Sequence, residues 1–203
     1  MSVIIWPGLK VSSFRWKKTN QAISFGSAFG SQSVDVSPAV WTVELSGTPQ
    51  YWAEAVSTEV FLESLNGYTN QLELWNLIRQ VPTGTMRGTM VFAADVAQGD
   101  VSIQISAGAG EAGKTLLKGD LIGFGNGVTQ QVVRIDADAE ADVSGNITVS
   151  VSTPVRNAFA TGDSITWNKP KALFRQKSLN DGIEYGAVIG QPWSLSIIED
   201  WRP

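Results

Sequence analysis

Tryptophan is spread unevenly along this chain, and that limits how the chain can fold. The eight tryptophans are Trp6, Trp16, Trp41, Trp52, Trp75, Trp167, Trp193 and Trp201, and none lies between Trp75 and Trp167. The three tyrosines, Tyr51, Tyr68 and Tyr185, avoid the same gap. Charge changes there too: residues 88–166 hold 9 acidic and 4 basic side chains, net −5, against 10 acidic and 11 basic elsewhere, net +1. A composition break with two edges predicts an inserted domain over 88–166 within a discontinuous outer domain, 1–87 and 167–203.

Within each part the apolar residues come in short alternating runs punctuated by 20 glycines, which favours strands and turns over long helices. In the outer part Trp41, Val43 and Leu45 alternate with Thr42, Glu44 and Ser46. Trp193, Leu195 and Ile197 repeat the pattern near the C-terminus, and Leu72 and Leu74 read as a short strand. One helix is expected over about 49–66, with a stripe of Trp52, Val56, Val60 and Leu65 widened by Phe61 and Leu62, and with Gly67 at C′. Val81-Pro82-Thr83-Gly84 is turn chemistry at the exit to the insert. In the insert Val101, Ile103 and Ile105, then Ile147, Val149 and Val151, alternate with polar residues. A Gly-Asp turn precedes a strand three times, at Gly99-Asp100, Gly119-Asp120 and Gly162-Asp163. The expected class is mostly β with one main helix (α+β): a sandwich-like outer domain and a small β-barrel or sandwich insert.

The chain has neither cysteine nor histidine. Disulfides, thiolate metal sites and the Ser-His-Asp and Cys-His triads are therefore excluded, leaving carboxylate pairs, lysine or phosphate loops as catalytic devices. A phosphate-loop pattern is present at Gly108-Ala109-Gly110-Glu111-Ala112-Gly113-Lys114-Thr115, with Val132-Val133-Arg134-Ile135-Asp136 as a Walker B candidate. Such a loop needs a helix after it, because the helix N-terminus completes the anion site. Here Leu116 to Gly125 holds three glycines within seven residues, so a loop between strands is expected, with no enzyme and no cofactor. Asp136, Asp138, Glu140 and Asp142 alternate but lack the EF-hand glycine and glutamate, so an exposed hairpin loop without metal is expected. Arg15, Lys17 and Lys18 around Trp16, and Lys169, Lys171, Arg175 and Lys177, read as solvated strand faces or subunit contacts. A net charge of −4 and a pI near 4.8 argue against nucleic acid as a partner. No apolar run is long enough to span a bilayer, and Met1-Ser2-Val3-Ile4-Ile5-Trp6-Pro7 has no basic region of the kind a signal peptide carries.

The order of these features is itself informative. A tryptophan strand is followed by a helix ending Phe61-Leu62-Glu63-Ser64-Leu65-Asn66-Gly67, a short strand and a Pro-Thr-Gly exit. A β-rich insert with Gly-Asp turns comes next, then Pro170-Lys171-Ala172-Leu173-Phe174-Arg175 and a last strand ending Ile197-Ile198-Glu199. This order resembles the distal tail proteins of long-tailed bacteriophages, components of the tail tip or baseplate. The resemblance implies a structural virion protein at the far end of the tail, forming a homo-oligomeric ring, usually a hexamer, that joins the tail tube protein to hub, fibre or receptor-binding proteins. It also implies that the outer domain builds the ring and that the insert projects outward. Trp6, Trp16, Trp41, Trp193 and Trp201 are the aromatic residues expected at the subunit interface. The lack of cysteine suits assembly in a reducing host cytoplasm. The alternative reading is a carbohydrate- or receptor-binding β module of a phage tail, and a more remote one is a nucleotide-binding protein.

Overall fold

A computed structural model gives the fold and describes residues 1–178, 189–190 and 192–200. The chain is mostly β with a single α-helix among the described residues, and it divides into two compact units. The first combines Met1–Leu74 with Phe174–Asp200, and the second is Trp75–Leu173. The discontinuous arrangement matches expectation, but the insert is longer than 88–166 at both ends. Composition marked where aromatic residues thin out, whereas packing decides where a unit ends. Met86 is fully buried in the second unit's core, and the Trp167 indole N–H donates to the Gly88 carbonyl at 3.0 Å.

The first unit is built on a six-stranded sheet. Its strands are β1 (Val3–Ile5), β2 (Val11–Ser27), β3 (Gly30–Gly47), β5 (Gln71–Trp75), β14 (Lys171–Gln176) and β16 (Ser194–Glu199), in the order β1-β5-β14-β16-β3-β2. β1 runs parallel to β5, while β14 with β16, β16 with β3, and β3 with β2 are antiparallel. The two alternating runs read from the sequence lie side by side, Leu45 opposite Leu195 and Val43 opposite Ile197, all four buried. Thr42, on the other face of β3, is buried too, so the sheet centre is covered on both sides. Buried Glu199 continues this pairing with a side chain, its carboxylate accepting the Trp41 backbone N–H at 2.9 Å.

The helix α1 (Trp52–Ser64) starts later than expected, because β4 (Gln50–Tyr51) pairs with β15 (Ile189–Gly190) in a two-stranded ladder. Only half of the expected apolar set, Phe61, Leu62 and Leu65, turns to the core. Ala55, Thr58, Phe61, Leu62 and Leu65 are buried, with Phe61 edge-on to Trp6 at 5.6 Å, whereas Trp52, Val56 and Val60 of the expected stripe are exposed. Apolar residues flank α1 on two sides and only one side meets the core, a choice that periodicity alone cannot make. The C′ position falls on Asn66, φ 48°, one residue ahead of Gly67.

The second unit carries another six-stranded sheet. Its strands are β6 (Met90–Phe92), β7 (Ser102–Ser106), β9 (Leu121–Phe124), β10 (Gln131–Arg134), β12 (Asn146–Ser150) and β13 (Ser164–Thr166), in the order β10-β9-β13-β6-β7-β12, and neighbours run antiparallel. β8 (Thr115–Leu116) and β11 (Ala139–Glu140) form a separate pair. The two outermost strands are linked just beyond their ends: Ile135 bridges Val151, and the Asp136 N–H donates to the Ser150 carbonyl at 2.8 Å. Ile103, Ile105, Ile147 and Val149 point into one core with Phe92 and Phe124, as their alternation predicts.

The three Gly-Asp turns share one geometry. Each glycine sits at positive φ (100°, 94° and 92°), which a type II turn requires at its third residue. Each aspartate donates its N–H three residues back, to the carbonyl of Ala97, Leu117 or Ala160, and its carboxylate accepts the N–H of the same residue.

Candidate functional site

The phosphate-loop pattern is occupied by internal contacts. Ala109–Glu111 forms one 3-10 turn, Thr115 enters β8, and β9 follows, so strands stand where a phosphate site requires a helix. Glu111, inside the loop and buried, accepts the Arg87 backbone N–H at 2.7 Å and pairs with Lys114 at 2.9 Å. The Arg87 N–H and then Lys114 hold this carboxyl below the ordinary glutamate range. The lysine that would meet a phosphate is thus paired with the loop's own acid. Only Val132–Arg134 of the Walker B candidate lies in β10, with Ile135 and Asp136 past its end, and β10 runs antiparallel to β9, whereas phosphate-loop folds use a parallel sheet.

Two of the alternating acids are tied to backbone amides, and Glu140 lies in β11. The Asp138 carboxylate accepts the Lys118 N–H at 2.6 Å, and that of Asp142 accepts those of Ser144 and Asn146 at 2.8 and 2.9 Å. The Asn146 and Ser144 amides hold the Asp142 carboxyl below its ordinary value. No group of three or more Asp or Glu side chains is placed to hold a metal ion among the described residues.

The tryptophans expected at an interface are largely consumed inside the first unit. Trp41 and Trp193 are 1% and 0% exposed, and Trp6 is buried between Phe61 and Trp193. Trp16 is half-buried, packed on Trp41 at 5.6 Å and on Phe174 at 5.3 Å. Trp201 lies outside the described residues. Trp6, Trp41 and Trp193 therefore offer no surface to a neighbour. The basic residues beside Trp16 bracket Glu44, with Lys17 at 2.5 Å and Arg15 at 3.6 Å. In the other basic stretch, Arg175 lies 3.8 Å from Asp200 and Lys169 sits over the Trp75 ring.

The exposed apolar surface is elsewhere. β2 and β3 continue past the sheet as a two-stranded arm, paired from Gln21 with Ser37 to Ser27 with Gly30. The arm begins where the ladder is irregular between Thr19 and Ala22, beside Pro38, which has no N–H for a ladder bond. One arm face carries Ile23 opposite Val34, with Phe25 two residues on; the other carries Ser24 opposite Ser33. Ile23, Phe25 and Val34 are exposed, and Phe29 at the tip is fully so. Trp52, 67% exposed, lies with Val56 and Val60 along the outer side of α1. Sequence reading missed the arm, although Ile23 and Phe25 flank Ser24 in alternation and Gly26 and Gly30 bracket the tip.

A second surface belongs to the insert. A cleft of about 970 Å³ is lined mainly by polar side chains, among them Gln104, Ser106, Glu140, Asn146, Thr148 and Thr161. Register explains the polarity, since Gln104 faces Thr148 and Ser106 faces Asn146 across β7 and β12, on the side opposite the buried isoleucines. Hydroxyls, amides and the carboxylates of Asp138, Glu140 and Asp142 line this cleft and can exchange hydrogen bonds with a polyhydroxylated ligand. The chain matches no known protein family and no curated protein sequence.

Proposed function

We propose that this chain is a structural virion protein that forms a homo-oligomeric ring, a hexamer on the family resemblance, at the distal end of a phage tail. In this reading the first unit builds the ring, and the insert is a small closed β-barrel that holds fibre or receptor-binding proteins. The observation that carries the reading is the exposed arm. A two-stranded ribbon is marginal in water by itself, and this one holds Ile23, Phe25 and Val34 on an uncovered face. A further copy of the chain supplies that cover. The sheet also ends in edge strands, β1 and β2, whose free backbone groups suit pairing between subunits. The Ile135–Val151 bridge, which joins the outer strands of the insert's sheet, supports the barrel. The test is the mass of the native protein by light scattering, with negative-stain images: rings support the proposal, and a monomer at high concentration contradicts it.

The polar cleft of the insert favours a second reading, a module for a host carbohydrate or other polyol receptor, and both roles fit one protein. Glycan-array binding that Thr148→Arg abolishes supports it, and an empty array removes it.

A further inference from the structure

The cleft of the insert has a charge as well as a polarity. Residues 136–142 run alongside β12 and are pinned to it at both ends: the Asp136 N–H donates to the Ser150 carbonyl and the Asp142 N–H to that of Asn146, each at 2.8 Å. Between those bonds the side chains alternate. Ala139 and Ala141 pack on the core, so Asp138, Glu140 and Asp142 turn outward and line the cleft. A fourth carboxylate, Asp95, stands behind it, accepting both the backbone N–H and the hydroxyl of lining Thr161 at 2.8 Å. No lysine or arginine is among the described residues that line the cleft. The Asn146 amide holds Asp142, and the Thr161 amide holds Asp95, below the ordinary carboxylate range, so both stay charged in mild acid. Asp138 and Asp142 are already tied to backbone amides, whereas the exposed Glu140 carboxylate has no hydrogen-bond or ion-pair partner among the described residues.

One metal ion does not answer this charge. Alternate residues at strand rise stand roughly 6.6 Å apart, and no group of three or more acids is placed to hold an ion among the described residues. The counter-charge that fits is spread out and brings hydrogen-bonding groups for Gln104, Ser106 and Thr148, which present an amide and two hydroxyls to the same cleft. A cleft lined by one sign of charge also concentrates ligands of the other sign and repels its own. We propose that the cleft takes a cationic polyol, a chain of amino sugars with free amines, and rejects acidic glycans. This rests on the carbohydrate reading of the cleft and narrows it to one charge class. The amines meet the carboxylates of the 138–142 edge, Glu140 first, and the sugar hydroxyls meet the side chains of β7 and β12.

The test is titration calorimetry of the intact protein at about pH 5.5, above the ordinary carboxylate range. Three tetramers are compared: glucosamine, its N-acetylated form and galacturonate. The glucosamine tetramer should bind at least about tenfold more tightly than the acetylated one, and the galacturonate not at all. Glu140→Gln should weaken glucosamine binding about tenfold, as expected for one charge-assisted hydrogen bond, and leave the melting temperature unchanged. Acetylated sugar binding as tightly as the free amine, or galacturonate binding, overturns the cationic class while the carbohydrate reading stands. Glucosamine binding at parental strength in Glu140→Gln assigns it to the general negative charge of the chain and rejects the site. No binding of the three tetramers rejects the proposal, and an empty glycan array beside it removes the carbohydrate reading as well.

Discussion

Three backbone N–H groups end on one carboxylate in the second unit. Asp120, buried, accepts from Thr83 at 2.6 Å, Gly84 at 3.0 Å and Leu117 at 2.8 Å. It therefore shapes its own turn and also ties down the segment that leads into the unit. Asp163 occupies the same turn position but is exposed and holds only the local amide of Ala160. Asp120→Ala should cost roughly 2–3 kcal/mol in urea unfolding and Asp163→Ala about 1 kcal/mol or less, since buried donors left without an acceptor carry the larger penalty. Equal costs would show that the strap plays no part. Glu111 gives a pH signature. Its folded pKa is lowered by the Arg87 amide and Lys114, so its contribution is full above the ordinary glutamate value of about 4.3 and is lost as pH falls through the folded value. Glu111→Gln should flatten the fall in melting temperature between neutral and acid pH. An unchanged pH profile would remove Glu111 from the account.

At the scale of elements, the hairpin β2–β3 has two parts with different roles. From Val11 to Thr19 it is an edge of the sheet, with Phe14 opposite Leu45 and Trp16 opposite Val43. Beyond Pro38 it is an arm with exposed apolar residues. Replacing residues 21–37 by Asn-Gly, a two-residue hairpin turn, should leave the sheet folded with its melting midpoint near the parent's and abolish assembly. Circular dichroism and light scattering on the same sample check this; loss of the fold would mean that the arm is part of the core. Trp41→Ala should show the opposite behaviour, destabilising the first unit by about 3–5 kcal/mol because a fully buried indole leaves a cavity.

The strands with strict alternation were legible in the sequence, because Val43, Leu45, Leu195 and Ile197 leave one pleated face to bury. The Gly-Asp turns were legible because positive φ selects glycine. The direction of α1 was not, since Trp52 and Phe61 are equally apolar and only tertiary packing selects between them. The arm was missed because Ile23, Phe25 and Val34 are exposed, and a pattern is easiest to read when it marks a buried face.

For the whole molecule, three of the five tryptophans expected at a subunit interface are core residues of the first unit. Large rings are the most efficient fillers of a core, and Trp6, Trp41 and Trp193 fill this one. The aromatic gap found the insert but misplaced its edges by the lengths of the straps at 75–87 and 167–173, which pack with the insert although their composition resembles the outer unit. The phosphate-loop pattern was rightly read as a loop between strands, and its Glu111–Lys114 pair shows how the residues are used.

The central claim is self-association through the first unit, and the mass of the intact protein in solution tests it most directly. Chains of 21.8 kDa should be found in a closed assembly, about 131 kDa for six copies, that returns to single chains when residues 21–37 are replaced. A mass of one chain at every concentration, with or without the arm, would contradict it.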